Sequence, residues 1–332
     1  GPGVTFQARL RAMHEFPGGV FPIAPRSAAI DPKGEWLYLT GYAWKAAWNQ
    51  DGLHGVVRLR LDGKEAPQPF AGDMKQEQQG SDDARLSLPL GVTCDASGRV
   101  YVADYMNDRI QVFADSGKLL KTLRTPKPVH VDIHPKSGEL FVFSWLVGND
   151  RMVRELAEAE SRHQGMKPIP PTLTRYEAID WAPAGKEAAP KALGSHPLPL
   201  DGVGPTAGSY MGVMPVGLPH RVAVDFWAKE PMVWLSEGSR NGVTWNGNIR
   251  IFALEKEGLK LVRDFTKDVE KEDPQPRTPY HGRQRLYFDH RHQKLYVGEQ
   301  FPDPLHIKSF TDVIQLDPLT GKGKLVPLPF DC

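Results

Sequence analysis

The sequence predicts an all-β protein, a β-propeller of four-stranded blades, on three observations. A unit made of an apolar strand, a turn and a second alternating strand recurs five times along the 332-residue chain. Apolar residues alternate with a period of two in these units, as they do in half-buried strands. The chain has 32 Gly and 30 Pro, a content typical of many turns and few long helices.

The inner half of each predicted blade follows one pattern. It opens with a polar residue or Pro, continues as an apolar strand and reaches Asp or His six positions after the first residue. A turn and a second alternating strand come next. The five units begin at Pro25, Pro89, Pro128, Pro219 and Arg283.

Two outer strands complete each predicted blade. In the first, second, fourth and fifth units they lie in HGVVRLRLDG with APQPFAG, DRIQVFADSGKLLKTL, GNIRIFALEKEGLKLVRDF and TDVIQLDPLTGKGKLVPLP. Asp-Gly, Ser-Gly, Glu-Gly and Thr-Gly pairs lie between these strands. They predict tight hairpin turns, because Gly adopts the positive φ of such turns at no steric cost.

The third unit contains one long insertion, within residues 146–218. Its first part, MVRELAEAESRH, has helix propensity and i,i+4 charge pairs. The segments LTRYEAIDW and KALGSHPLPL predict the outer strands of this blade. A Gly- and Pro-rich stretch, GVGPTAGSYMGVMPVGLP, predicts a long loop of the kind that is usually functional or mobile.

The number of blades stays open between six and five. The segment VTFQARLRAMHEF resembles outer strands that lack an inner pair. It predicts either an incomplete sixth blade or a strand that closes the ring beside the last blade and so removes exposed edges. We expect one domain over residues 1–332, six-bladed in plan, with five blades as the alternative.

Composition narrows the classes of function. A net charge of +1, without clustered basic residues, makes nucleic acid an unexpected partner. The chain has no run of about 18 apolar residues, so no membrane span is expected, and it opens without a signal-peptide pattern.

Cys94 is predicted to be a small buried thiol, whereas Cys332 could be free or paired with another chain.

The second unit carries the strongest family resemblance. Its segment ADYMNDRIQVF resembles the NHL repeat, whose core reads Asp-x-x-Asn-x-Arg-Ile-Gln-x-Phe, and Asp104 is expected to hold a turn there as an acceptor. The family includes protein- and RNA-binding modules, bacterial extracellular domains and peptidyl-hydroxyglycine amidating lyases, with six-bladed propellers commonest. The resemblance implies a propeller but does not select a function. We expect a periplasmic or extracellular protein rather than a cytoplasmic one.

The resemblance places the residues just after each unit's first residue at the mouth of a central channel. The amidating lyases put a Pro-His pair there in three blades, and the three imidazoles hold zinc. In this chain His220 follows Pro219, His130 is displaced by one residue, and Arg26 and Leu90 occupy equivalent places. His220 and His130 are therefore the candidate metal ligands, for zinc or calcium.

Charged residues at the predicted mouth allow more than one interpretation. Arg26, Arg221 and Arg285 either pair with Asp and Glu of neighbouring blades or converge to bind a small anion, since guanidinium groups bind carboxylate and phosphate bidentately. Glu237 and Glu299, at the ends of second strands, predict a carboxylate pair for calcium binding or acid–base chemistry.

Aromatic residues in polar segments suggest a contact surface. Rings in such segments commonly contact sugars, peptides or partner proteins. Alternatively, these segments fold down and bury the rings. The residues concerned are Tyr42, Trp44, Trp48, Trp145 and Trp245.

Two functions follow from these patterns. The first is a binding or scaffold module that presents residues 44–48, 148–218 and 239–247 to a protein partner or to another part of a larger protein. The second is a central-channel enzyme, a metal-assisted lyase or hydrolase. In it His220, His130 and Glu237 act on a small anionic substrate that Arg26 and Arg285 hold. An enzyme should gather these residues at one point, whereas a binding module should disperse them in ion pairs and expose an apolar loop patch.

Overall fold

The structure is a computed structural model of the chain. Its described residues are 27–40, 44–46, 49–50, 54–73, 79–145, 171–182, 185–199, 219–237, 249–272, 283–289, 292–299, 312–318 and 320–327. The chain divides into two compact units, which we call unit 1 (Gly1–Leu146 with Arg154–Pro197) and unit 2 (Val147–Val153 with Leu198–Cys332). The expected single domain stays a prediction.

Unit 1 contains three antiparallel sheets. The first strands are β1 (Ser27–Ile30), β2 (Trp36–Thr40), a short hairpin of β3 (Trp44–Ala46) and β4 (Asn49–Gln50), then β5 (His54–Arg60) and β6 (Gln68–Asp73). Of these, β1, β2, β5 and β6 form sheet 1 in that order. Sheet 2 is formed by β7 (Pro89–Cys94), β8 (Val100–Asp104), β9 (Arg109–Phe113) and β10 (Leu119–Arg124). The remaining strands are β11 (Pro128–Ile133), β12 (Leu140–Ser144), β13 (Thr172–Tyr176), β14 (Glu187–Ala188) and β15 (Ala192–Pro197), and all but β14 form sheet 3.

Unit 2 contains two antiparallel sheets and one short helix. Sheet 4 is formed by β16 (Pro219–Asp225), β17 (Met232–Glu237), β18 (Ile249–Glu255) and β19 (Gly258–Asp264), and helix α1 (Thr266–Glu272) follows it. Sheet 5 is formed by β20 (Arg283–Asp289), β21 (Lys294–Glu299), β22 (Asp312–Leu316) and β23 (Gly323–Pro327). In the described parts of the chain, no helix has the length and apolar character needed to cross a membrane.

The structure confirms the predicted repeat and corrects its count. All five predicted units form four-stranded sheets, and β13 and β15 are the outer strands predicted within the insertion. The described residues contain five such sheets, which agrees with the five-bladed alternative and does not confirm the six-bladed plan. A sixth blade rested on residues 4–16, which had no inner strand pair to complete a sheet. Those residues, and the predicted helical residues 152–163, lie outside the described residues.

The Asp or His of each repeat unit holds the turn that follows its first strand. Each side chain accepts a hydrogen bond from a backbone N–H two to four residues later, which short polar side chains do readily. His134 does this through Nδ1, 3.0 Å from the amide nitrogen of Ser137. We call the end of a sheet at which these turns lie its turn edge. The opposite end, where the first strand begins, is its entry edge. The acceptors are Asp31, Asp95, His134, Asp225 and Asp289.

A β-bulge recurs at the entry edge of sheets 2 to 5. The pairing register of the first strand shifts between Pro89 and Gly91, Pro128 and His130, Pro219 and Arg221, and Arg283 and Arg285. A bulge leaves one extra residue outside the ladder, here Leu90, Val129, His220 and Gln284. The two residues predicted to face the mouth are therefore not equivalent, because the first is bulged and the second re-enters the ladder.

Apolar side chains fill the spaces between neighbouring sheets of unit 1. Burying each such side chain contributes about 1.5–3 kcal/mol. The core between sheets 1 and 2 includes Tyr38, Val56, Val92, Val102 and Phe113. The core between sheets 2 and 3 includes Ile110, Val112, Val131, Val142 and Ile179.

The short strand β14 lies in the connection between β13 and β15 of sheet 3, but it pairs with sheet 2 and extends it. It pairs in parallel with β10, so that Glu187 lies opposite Thr122. The backbone N–H of Thr122 donates to the carbonyl oxygen of Lys186 at 2.6 Å, and Lys121 Nζ donates to that of Gly185 at 2.8 Å. An exposed strand edge favours pairing with other chains, and β14 covers part of this one.

Candidate functional site

The second repeat unit builds a buried charged centre at the entry edge of sheet 2. Asp104 ends β8 and Arg109 begins β9, and a 3₁₀ turn over Tyr105–Asn107 brings the two together. Arg109 Nε donates to Asp104 Oδ2 at 2.7 Å, and the two side chains are 1% and 0% exposed. A buried ion pair is tolerated when further hydrogen bonds satisfy its remaining polar atoms.

Asp104 has such additional partners. Its Oδ1 accepts a hydrogen bond from the backbone N–H of Ser87 at 2.6 Å, and its Oδ2 accepts one from the Asn107 side-chain amide at 2.8 Å. Burial raises the pKa of Asp104 to about 6, although the positive charge of Arg109 and these hydrogen bonds lower it. At neutral pH the carboxylate is therefore ionised and paired.

Arg109 holds the connection between sheets 1 and 2, residues 79–88, which we call the pinned loop. Its Nη1 donates to the carbonyl oxygen of Ser81 at 2.8 Å. Its Nη2 donates to the carbonyl oxygens of Asp82 and Arg85 at 2.8 and 2.7 Å. The planar guanidinium group presents its donors in a fixed geometry. One buried side chain therefore fixes the backbone conformation of an exposed loop.

His54 holds the end of the pinned loop. Its Nδ1 accepts a hydrogen bond from the backbone N–H of Leu88 at 3.0 Å, and its side chain is 1% exposed. Burial lowers the pKa of His54 to about 4, so the ring is neutral at pH 7 and can act as an acceptor. Leu88 has a φ of 55°, a left-handed conformation that few residues other than glycine adopt.

The pinned loop presents charged side chains to solvent. Residues 81–85 are exposed. Arg85 Nη2 lies 2.6 Å from Asp82 Oδ2, and Lys186 Nζ, next to β14, lies 2.5 Å from Asp83 Oδ2. Surface ion pairs of this kind add little stability. Their charged groups can therefore exchange these contacts for contacts with a partner at little cost in folding stability.

A buried lysine holds the next connection along the entry edge. Lys127 lies between β10 and β11 and its side chain is 0% exposed. Its Nζ lies 3.4 Å from Asp108 Oδ1 and 5.5 Å from the centre of the Tyr105 ring. Its backbone N–H donates to the same Asp108 oxygen at 2.8 Å. Residues of the second repeat unit thus hold both loops that flank sheet 2.

His130 and Asp132 form a second polar pair, on the first strand of sheet 3. His130 Nε2 lies 3.1 Å from Asp132 Oδ2, although the two are not aligned as a hydrogen bond. The His130 side chain is 20% exposed, and its ring lies 5.9 Å from that of Phe143. A carboxylate beside one ring nitrogen is an arrangement that acid–base chemistry uses.

Most of the predicted site residues lie where their side chains are not described. Side chains are described for His130 and Trp145. Only the backbone is described for Trp44, His220, Arg221, Glu237, Arg285 and Glu299. The positions outside the described residues are Arg26, Tyr42, Trp48 and Trp245. The predicted metal ligands, carboxylate pair and arginine mouth therefore stay predictions.

Trp145 and His130 are the predicted site residues whose side chains are described. Trp145 is 5% exposed, which agrees with the alternative that these rings are buried, and its contact role stays a prediction. His130 is the residue after the bulge in sheet 3, whereas His220 is the bulged residue of sheet 4. The residue equivalent to His220 in sheet 3 is Val129. The backbone therefore agrees with the one-residue displacement of His130 noted in the sequence.

Metal-ligating residue types are dispersed in the described part of the chain. Among the described residues, no group of three or more His, Cys, Asp or Glu side chains is placed to hold a metal ion. Cys94 is free and half-buried, and burial raises its pKa to about 12. A thiol that is protonated at neutral pH is a poor nucleophile, which fits the predicted structural role of Cys94.

Sequence reasoning did not single out Arg109, His54 or the pinned loop. Arg109 follows Asp104 by five residues within the repeat signature, so their opposite charges were a usable signal. His54 gives no local signal, because its partner Leu88 lies 34 residues away.

Several solved structures are similar in fold. The hydrazine synthase of Kuenenia stuttgartiensis has 13% identity over 93% of this chain and 67% of that chain, with a TM-score of 0.45. The gluconolactonase XC5397 of Xanthomonas campestris has 13% identity over 99% of this chain and 85% of that chain, with a TM-score of 0.47. The Dos1 propeller has 13% identity over 92% of this chain and 64% of that chain, with a TM-score of 0.41. Similarities this weak carry no information about substrate or partner.

Comparison with protein families agrees with the repeat. No curated protein matches the chain. Residues 86–113 match the family model of the NHL repeat. The match contains β7, β8 and β9 and both members of the Asp104–Arg109 pair. Residues 86–113 therefore carry an NHL repeat, as the resemblance predicted, within a chain of four-stranded β-sheets.

Proposed function

We propose that this protein is a binding module, in which rigid blades present loops to a protein partner or to another part of a longer chain. The observation that carries the proposal is the pinned loop. Its residues 81–85 are exposed, yet buried Arg109 holds three of its carbonyl oxygens. Function in rigid scaffolds is concentrated on such loops.

Preorganisation explains what this arrangement gains. A flexible loop loses conformational entropy when it binds, and fixing its backbone costs about 1–2 kcal/mol for each residue. The backbone of the pinned loop is ordered before any partner binds, because buried Arg109 and His54 form hydrogen bonds with it. Binding energy is then not spent on ordering the backbone.

The chemistry of the loop indicates the kind of partner. It offers the carboxylates of Asp82 and Asp83 and the guanidinium of Arg85, with Lys186 beside them. Mixed charges of this kind fit a polar protein surface whose charges are complementary, and they affect the rate and specificity of association more than its strength.

Site-specific photo-crosslinking tests the proposal. A photoreactive residue at Asp83, in the exposed loop, is expected to form adducts of defined mass in cells of the source organism. The matched control is the same residue at Ser97, which is exposed at the turn edge of the same sheet. Partners identified from position 83 alone should bind the purified protein, and Asp83→Lys should slow that association.

Two results would contradict the binding proposal. One is equal crosslinking from positions 83 and 97, which would show only nonspecific proximity. The other is a purified candidate whose association rate is the same for the unchanged protein and for Asp83→Lys.

A second candidate function is favoured by the His130–Asp132 pair. The carboxylate oxygen lies 3.1 Å from one ring nitrogen, as it does in pairs that orient a general base. In this alternative His130 exchanges protons with a small anionic substrate. Hydrogen bonds of such pairs are often poorly aligned before a substrate binds.

Hydrolysis assays test the second candidate. A panel of anionic activated esters should be turned over, and His130→Gln should reduce the rate by at least about a hundredfold, the usual contribution of a general base. His292→Gln is the control, because His292 is an exposed turn residue beside Asp289. Turnover that ignores His130→Gln would overturn this candidate.

A further inference from the structure

Two neighbouring side chains of sheet 2 are buried without hydrogen-bond partners among the described residues. Gln111 on β9 is 0% exposed, and Thr122 on β10 is 2% exposed. The two residues lie directly opposite each other in the antiparallel ladder, so their side chains share one face of sheet 2. In the part of the chain that the structure describes, neither Nε2 nor Oε1 of Gln111 nor Oγ1 of Thr122 has a partner.

The surroundings of Gln111 are apolar, whereas Thr122 also lies opposite the exposed residue Glu187 on β14. Gln111 also lies opposite Val102, which belongs to the core between sheets 1 and 2. The next residue on that face of β9, Phe113, belongs to the same core. A buried amide or hydroxyl group that lacks a hydrogen-bond partner destabilises a protein. The great majority of buried polar side chains are therefore satisfied by protein or by ordered water.

Sheets 3 and 5 show two other arrangements at the same two positions. In sheet 3 the equivalent residues are Thr174 and Ser195, whose hydroxyl oxygens are 3.1 Å apart and bonded directly. In sheet 5 the equivalents are Ile314 and Leu325, which need no polar partner. Sheet 2 has a third arrangement, a polar pair that is neither bonded directly nor replaced by apolar residues.

We propose that Gln111 and Thr122 bind one buried water molecule, which bridges the carboxamide of one to the hydroxyl of the other. The three polar atoms offer both donors and acceptors, which matches water, and a buried water typically makes about three hydrogen bonds. The group carries no net charge, and an ion in this apolar core would lose its hydration without compensation. The ligand of this site is therefore neutral and small.

A high-resolution crystal structure of the unchanged protein tests the site directly. The expected result is a single density peak within about 2.7–3.2 Å of both the Gln111 carboxamide and the Thr122 hydroxyl. A direct bond between the two side chains with no peak between them would overturn the proposal, as would a dry site.

Counting long-lived waters in solution gives a second, independent test. Oxygen-17 relaxation dispersion should show one fewer long-lived water for Gln111→Met combined with Thr122→Val than for the unchanged protein. These substitutions remove the polar atoms while nearly keeping their volume. Thr174→Val is the control, because its hydroxyl bonds Ser195 near the surface, and it should leave the count unchanged. An unchanged count in the folded double variant would overturn the proposal.

Discussion

Asp104 and Arg109, five residues apart in sequence, form a buried ion pair in which Oδ2 and Nε lie 2.7 Å apart. The pair joins neighbouring ends of β8 and β9, and Arg109 extends its hydrogen bonds to the backbone of the pinned loop. The charged part of the NHL signature therefore acts here as a clamp between a sheet and a surface loop.

Removing the cation of this pair should destabilise the protein in a pH-dependent way. Arg109→Met is expected to lower the free energy of unfolding at pH 7 by about 3–5 kcal/mol, because it leaves Asp104 as an unpaired buried charge. The loss should be smaller at pH 5. Burial already raises the pKa of Asp104 to about 6, so the carboxyl group takes up a proton there and the charge disappears. Urea unfolding at both pH values measures the difference.

The control for this prediction is Arg85→Met. Arg85 also pairs with an aspartate, Asp82, but both side chains are 50% exposed. Exposed pairs contribute little, so this variant should unfold nearly like the unchanged protein at both pH values. An Arg109→Met loss that is equal at pH 5 and pH 7 would contradict the role given to Asp104.

His54 should make stability fall in mild acid. Its folded pKa of about 4 is below the ordinary value of 6.5, so the unfolded chain takes up a proton first as the pH falls through this range. The unchanged protein should therefore lose up to roughly 3 kcal/mol more between pH 6.5 and 4 than His54→Asn. Asn keeps an acceptor for the Leu88 N–H but does not titrate.

The comparison with His54→Asn removes a competing effect. The raised pKa of Asp104 makes stability change in the opposite direction, falling as the pH rises through a similar range. Asp104 is present in both proteins, so its contribution cancels in the difference. His54→Leu should cost about 1–3 kcal/mol at pH 7, because the Leu88 N–H is left unpaired. Parallel pH profiles for the unchanged protein and His54→Asn would rule out a titrating His54.

Gly91 should tolerate no side chain. A Cβ atom on Gly91 would lie 2.8 Å from the carbonyl oxygen of Val129 and 2.9 Å from Cα of His130, both on β11. Because these are backbone atoms, Gly91→Ala should force β7 and β11 apart and cost about 1–3 kcal/mol in thermal or urea unfolding.

Gly80→Ala is the matched control for Gly91→Ala. The three atoms nearest to its Cβ would belong to the Arg85 side chain, with Nε at 2.5 Å, and this side chain is half-exposed and can move aside. A Gly91→Ala protein as stable as Gly80→Ala would show that the two strands are not in close contact.

Metal analysis tests the predicted metal centre at His220. If His220 contributes to a metal centre, protein purified without a His-tag or added chelator should contain stoichiometric zinc or calcium, and His220→Ala should lose it. The bulged position of His220 in β16 motivates the choice of residue. His292→Ala, at an exposed turn, should keep the metal. Metal content that does not depend on His220 would exclude that residue as a ligand.

The strands and turns of this protein were predictable because their signals are local. Alternating residues such as Val100 and Val102 mark a strand wherever it packs. The Asp and His residues that hold the turns, such as Asp95 and His134, act on amides only two to four residues away. The blade count was less predictable, because an outer-strand pattern alone does not show whether an inner pair completes the sheet.

The sequence by itself determined the five repeat units, their turns and the NHL signature around Asp104 and Arg109. The tertiary structure alone decided that Arg109 reaches back 24 to 28 residues to the pinned loop, that β14 joins sheet 2 and that Gln111 is buried without a protein partner. The reason is physical. Periodicity and turn chemistry report a residue's neighbours along the chain, whereas burial, ion pairing and strand addition depend on which distant segments meet.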